Sequence, residues 1–439
     1  MDTQNSGKFL PFLTICTGLF LILSGIAAGT VYLGSSLIQF FGADVLIGEL
    51  SVTGAVALGI IGGGITVIHG LNAFRGQRSN LVRLPQFYLF YLAFALVLGI
   101  GNILLVGRGN ERFDASLIQL LFPPVFILGA SLPVLAALAF AFRRMGWPVT
   151  WRQASLMLVS GGTLSIIVTF ILGSLIPYII YLLIAPMEFL AEEFLYVLNP
   201  DGPGFFERLI FSPLLIFYLL YVAFQAPFPE ELAKALGPVW MGRRIRSERM
   251  AFALGLASGA GFAIVENMRY QGLFAQFYGW SWGGITALRG IGAVDHALWT
   301  AIISLALYRE QAREPGWLGR LARAYFFSVG LHTIWNGGYL ALLYLIGLDH
   351  FAGAGPSFSI YGEYIEISLI VILLAMTLLN WWILIRYLNG LQTDAPIEVT
   401  PQRVSPRALA GWAFATVMVI VPIGAALGQA WEHIRAVMF

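Results

Sequence analysis

Charge is what this chain has least of. Lysine, arginine, aspartate and glutamate make up 11% of its 439 residues, against 58% apolar types and a mean hydropathy of +0.80. That balance excludes a water-soluble globular protein, whose surface needs far more polar cover. A single cysteine, Cys16, excludes both an intrachain disulfide framework and a cysteine-based metal centre. Lysine occurs only at Lys8 and Lys234, every other base being arginine. Two hydrolase signatures are also missing: there is no His-Glu-x-x-His helix and no Tyr-Asp or Gly-Asp aspartyl pair.

What remains is a series of apolar runs long enough to cross a bilayer at about 20 residues each. They start near Phe9, Val52, Gln86, Ser116, Ala154, Leu209, Ala251, Ile285, Ala324, Ser368 and Ala408. The expected fold is therefore all-α, a polytopic transmembrane helical bundle of about eleven spans. Arginines gather in alternate loops, at Arg75/Arg78/Arg83, Arg143/Arg144/Arg152, Arg243/Arg244/Arg246/Arg249, Arg309/Arg313/Arg320/Arg323 and Arg386/Arg403/Arg407. By the positive-inside rule the N-terminus is cytoplasmic and the C-terminus external. The first run continues to Phe41, longer than a signal-peptide core, so it reads as a span. No internal repeat is apparent, which speaks against an inverted-repeat transporter. The longer connections divide the chain into an N-terminal membrane region over 1–205, a core of about four spans over 206–350 and a C-terminal region of about two spans over 351–439.

The few charges inside apolar sequence are clustered. Glu230 and Glu231 are followed by Lys234, and further on come Glu266, Asp295-His296 and His332 with Asn336. A charge at the bilayer centre costs roughly 2.5–3.5 kcal/mol even on the lenient insertion scale, so such groups must be paired, hydrated or functional. The run from Leu209 is taken to continue, kinked at Pro227/Pro229, to the basic turn at Arg243. Counting back from the basic loops at 1.5 Å per residue then puts Glu230, His296 and Asn336 about 20 Å from the cytoplasmic edge, His332 near 14 Å and Glu266 near 25 Å. Four helices thus carry polar groups to one layer. Within each helix the partners share a face: Glu230 with Lys234, Phe262 with Glu266, His296 with Thr300, His332 with Asn336. Gly255 and Gly259 form a small-residue face on the Ala251 span, and Gly337-Gly338 follow Asn336; ordinary close helix packing accounts for both. Glu192-Glu193 repeats the acid pair without a following base and reads as a solvated face, while His69, His350 and His433 have no acidic or amide partner at helical spacing within the core block.

Two carboxylates beside an ammonium suit a general base for water, and two histidines with an amide suit either metal ligation or oxyanion stabilisation. The residues alone leave those schemes open. A proton- or ion-coupled transporter would also carry such groups in mid-membrane, as would an inactive sensor or scaffold that keeps the motifs.

The ordered set Glu230-Glu231-x-x-Lys234, Gly261-Phe262-x-x-x-Glu266-Asn267, Arg289 with His296, and His332-x-x-x-Asn336 resembles the PrsW family of intramembrane proteases, related to the CAAX-prenyl-endopeptidase and bacteriocin-processing superfamily. The resemblance covers Leu209 to Leu348. It implies a membrane-embedded peptidase in which Glu230 is the water-activating base and Glu231 its partner. Glu266, His296 and His332 become metal ligands or water-binding groups, and Asn336 an oxyanion donor. The implied cofactor is a divalent metal such as zinc, with a metal-free glutamate mechanism as the other option. The implied partners are the lipid bilayer and a membrane-protein substrate such as a single-pass anti-sigma factor, in a bacterial plasma membrane. No nucleic-acid partner is expected.

Overall fold

The computed structural model describes residues 58–109, 115–184, 223–275, 280–312, 314–352 and 356–391, with short pieces between 11 and 27, at 56 and at 219–220. Among the described residues the chain is helical, with one isolated β-bridge, Leu81 to Thr150. We number the helices α1 (Gly63–Phe74), α2 (Phe87–Gly109), α3 (Ala115–Arg144), α4 (Trp151–Ser160), α5 (Ile166–Ile184), α6 (Pro227–Met241), α7 (Glu248–Ala275), α8 (Trp280–Ile291), α9 (Asp295–Arg309), α10 (Trp317–Ala352) and α11 (Pro356–Gly390).

Six stretches are long and apolar enough to cross a membrane: Phe87–Val106, Leu121–Arg144, Trp151–Gly173, Glu248–Gln271, Trp282–Arg309 and Val371–Gly390. They correspond to the runs expected from Gln86, Ser116, Ala154, Ala251, Ile285 and Ser368. The run from Ala324 lies within the 36-residue α10. The runs from Leu209 and Ala408 fall largely or wholly outside the described residues, as do Glu192-Glu193 and His433. The protein is therefore a multi-pass membrane protein, with six such spans among the described residues.

Burial orders the bundle. The apolar stretch of α7 is almost wholly enclosed, whereas α2 presents Leu92, Leu96 and Ile103 outward, as a helix facing lipid would. α7 packs on α9 along the glycine face legible in the sequence. A Cβ at Gly255 would sit 2.6 Å from Ala301 Cα, and one at Gly259 would strike the His296 carbonyl. Ser304 Oγ donates to Ala251 O at 2.7 Å across the same seam. Gly337 is different: it meets only Ala223 Cβ at 3.9 Å, so close backbone approach does not require it.

α4 begins with a capping box, Thr150 Oγ1 accepting from Gln153 N and Gln153 Oε1 accepting from Thr150 N. It runs into a π-helical turn, Gly161–Ser165, before α5. That turn lies against α7, where a Cβ at Gly161 would collide with Ser258 O and one at Gly261 with Leu158 O. Ser165 Oγ donates to Ala233 O at 3.1 Å, and Ser258 Oγ donates to Lys234 O at 2.7 Å. α6 is thereby clamped between the π-turn and α7.

One sequence expectation needs correction. The run from Leu209 to the basic turn at Arg243 was expected to be one helix kinked at Pro227/Pro229. The chain instead turns at Gln225-Ala226 and starts a new helix at Pro227, where the missing N–H and fixed φ of proline suit a first position. Glu230 therefore lies in the first turn of a 15-residue helix. At about 22 Å this helix is shorter than a span. Its end is set by Gly242 at φ +43°, followed by the α7 start, where Ser247 Oγ accepts from Met250 N at 3.1 Å.

Candidate active site

The buried polar groups of α6, α7, α9 and α10 form one connected cluster. Lys234 is fully buried and donates to Glu231 Oε1 within α6. It also reaches His296 Nδ1 on α9 at 3.1 Å. Its ammonium lies 4.7 Å from the Phe262 ring centroid and 5.9 Å from that of Trp299, so aromatic faces complete its surroundings. Glu231 Oε1 is in turn 2.8 Å from His332 Nδ1 on α10. Because an ionised carboxylate only accepts, this contact places the His332 ring proton on Nδ1 and leaves the Nε2 lone pair free.

That free nitrogen points at Glu230. His332 Nε2 and Glu230 Oε2 are 3.4 Å apart, and neither atom has a hydrogen-bond partner. His296 Nε2 approaches Glu266 Oε2 to 2.6 Å, again without an in-line hydrogen bond. Glu266 Oε2 is held by Arg289 Nη2 at 2.5 Å. Arg289 Nε donates to Asn267 Oδ1 at 2.9 Å, and Asn267 Nδ2 reaches the Ala130 carbonyl on α3 at 3.2 Å. The two imidazoles meet edge to face with centroids 4.8 Å apart, and Trp299 stacks on His332 at 4.7 Å and 28°. Asn336 is buried one turn beyond His332.

The seven residues singled out by depth and spacing are thus all buried, and Glu230, Glu231, Lys234, Glu266, His296 and His332 are joined by direct contacts. His69 lies outside the cluster on α1. Sequence reasoning missed Asn380 on α11, which accepts from Trp299 Nε1 at 3.3 Å and donates to Asp295 Oδ1 at 2.9 Å. The available signal was a lone amide in an apolar run, with nothing nearby in sequence to give it meaning.

A metal ion can be tested against these donors. Glu230, His296 and His332 offer ligand atoms within 4.8 Å of one another. Glu230 Oε2 and His332 Nε2 are buried without a hydrogen-bond partner, an arrangement costly to keep unless something binds there, whereas His296 Nε2 already faces Glu266 Oε2 at 2.6 Å. Two imidazoles, a carboxylate and an open position also form a ligand set used by hydrolytic zinc. Two donors on a tetrahedral zinc with bonds of about 2.0–2.1 Å stand roughly 3.3 Å apart. The Glu230–His332 separation of 3.4 Å meets that spacing. The 2.6 Å between Glu266 and His296 is a hydrogen-bond distance instead. The three groups that could hold a metal, Glu230, His296 and His332, thus add Glu230 to the Glu266, His296 and His332 expected from the resemblance. His332 already has the second-shell carboxylate typical of a ligating histidine. His296 faces an ammonium, so metal binding there requires one proton to leave the Lys234–His296 pair.

A buried acid, two histidines and a lysine thus meet inside the helical bundle of a multi-pass membrane protein. Residues 161–377 match the model of the PrsW family of intramembrane metalloproteases, so this block is a PrsW-type peptidase domain. The match reaches beyond Leu209–Leu348 at both ends, taking in the π-turn and the first part of α11. No curated protein and no solved structure matches the chain.

Proposed function

We propose that this peptidase hydrolyses peptide bonds of membrane-associated proteins with Glu230 as the general base. The observation carrying the reading is the pair of unpartnered atoms, Glu230 Oε2 and His332 Nε2, facing each other across 3.4 Å. A water accepted between them can give its proton to Glu230 while its oxygen bonds to the substrate carbonyl carbon. Glu230 then passes that proton to the amide nitrogen as the C–N bond breaks, releasing a free amine and a carboxylate. Glu231 and Lys234 hold His332 and His296 in orientation. Arg289 and Glu266 brace His296 from the other side, and Asn336 is assigned to the developing oxyanion.

In the alternative, metal-dependent scheme, Glu230, His296 and His332 would hold a divalent metal such as zinc, Glu230 then acting as a ligand and not as the free base, and the metal would supply a Lewis acid and lower the pKa of its water. The substrate class that suits an enclosed site of this kind is a single-pass membrane protein, an anti-sigma factor being one example, in a bacterial plasma membrane. Co-expression with candidate single-pass proteins tests the proposal through their cleavage products. Glu230→Gln and His332→Ala are expected to abolish processing while the protein accumulates normally. Unchanged processing in both variants removes the catalytic assignment.

A further inference from the structure

Asn380 lies on α11, three residues past the end of the family match, and is fully buried. Its two amide ends serve two partners. Oδ1 accepts from the indole Nε1 of Trp299 at 3.3 Å, and Nδ2 donates to Asp295 Oδ1 at 2.9 Å. Both partners border the site: the Trp299 ring stacks on His332, and Asp295 directly precedes His296. Trp299 also meets the His296 ring edge to face at 5.1 Å. We infer that Asn380 is a positioning residue for the peptidase reaction, fixing the Trp299 plane against His332 and the first turn of α9 beneath His296.

The inference rests on the proposed roles of Glu230 and His332. The chemistry at 380 is specific. A carboxylate there keeps the acceptor for the indole but has no donor for Asp295, and it puts two buried anions side by side. Leucine loses both bonds. An amide at 295 facing a carboxylate at 380 restores the whole chain, because the amide now donates and the carboxylate accepts from both neighbours.

The test therefore compares wild type, Asn380→Asp and the swap Asn380→Asp/Asp295→Asn. Each is purified in detergent and assayed on the member of a quenched-fluorescent peptide pool whose cleavage Glu230→Gln abolishes. The 13Cε1 resonance of His332 gives a second readout among only five histidines, assigned by its loss in His332→Gln. Asn380→Asp is expected to lower kcat by about tenfold with KM changed by less than about twofold, and to shift the His332 resonance as the stacked indole moves. The swap is expected to restore both. Wild-type kcat and an unmoved resonance in Asn380→Asp overturn the inference, as does a loss that the swap does not recover. If no peptide shows Glu230-dependent cleavage, the catalytic reading itself fails. That outcome is distinct from an Asn380 failure with Glu230 dependence intact.

Discussion

Lys234→Met is the sharpest probe of how the site is held together. The ammonium is fully buried, pairs with Glu231, contacts His296 Nδ1 and faces two aromatic rings. Methionine fills nearly the same volume but leaves Glu231 as a buried anion with His332 as its remaining close partner. Two unit charges about 4 Å apart attract by about 4 kcal/mol at an effective dielectric of about 20. Removing one member of such a buried pair costs about 3–5 kcal/mol, because the other is left uncompensated. The expected loss in unfolding free energy is therefore about 3–5 kcal/mol, read by equilibrium unfolding in mixed micelles. Adding Glu231→Gln removes the stranded charge and keeps an acceptor for His332 Nδ1, so the double variant is expected to regain about half of the loss or more. A single variant within about 1 kcal/mol of wild type refutes the reasoning, as does a double variant no more stable than the single.

Gly259→Ala drives a methyl into the His296 carbonyl and is expected to cost about 1–3 kcal/mol and most of the Glu230-dependent cleavage, whereas Gly99→Ala on α2, with open space around it, leaves both unchanged. Zinc titration followed by elemental analysis is expected to show affinity weakened by about tenfold or more in His332→Ala and Glu230→Gln; a fully active metal-free preparation removes the ligand roles. Outside the membrane, Arg320 hydrogen-bonds Glu310 at 2.6 Å and holds its carboxyl below the ordinary 4.5. A depressed folded-state value makes that contribution present above the ordinary value and lost as pH falls through the lowered one. The stability difference between wild type and Arg320→Gln is expected to shrink on acidification, measured by unfolding at successive pH values.

Depth was readable in the sequence because a helix converts residue counts into ångströms, and that alone brought Glu230, His296 and His332 to one layer. Rotation about each helix axis was not readable. For that reason the sequence could not say which histidine each acid meets, Glu266 facing His296 at 2.6 Å and Glu230 facing His332 at 3.4 Å. The break at Gln225-Ala226 escaped for another reason. Pro227 and Pro229 announce a disturbance, but whether it is a kink or a new start depends on what α6 packs against, and that surface includes a π-turn about 65 residues earlier in the chain. Asn380 was hidden because its partners sit 81 and 85 residues away. The glycine face on α7, by contrast, was visible as a spacing and was found at the α7–α9 seam.

That seam has a further consequence for catalysis. Where two helices touch largely through backbone atoms, with only the small side chains of Thr300 and Ser304 in the seam, there is little to repack and their relative placement has little freedom. Glu266 and His296 stand on opposite sides of this contact and are fixed like two jaws cut from one block. On the proposed peptidase reading, this fixed site predicts that adaptation to different substrates comes from the substrate's own chain, through local unwinding that presents an extended peptide bond. Sequences that uncoil easily should be cut fastest, so selectivity in such an enzyme is written as much in the pliancy of its target as in any recognition pocket.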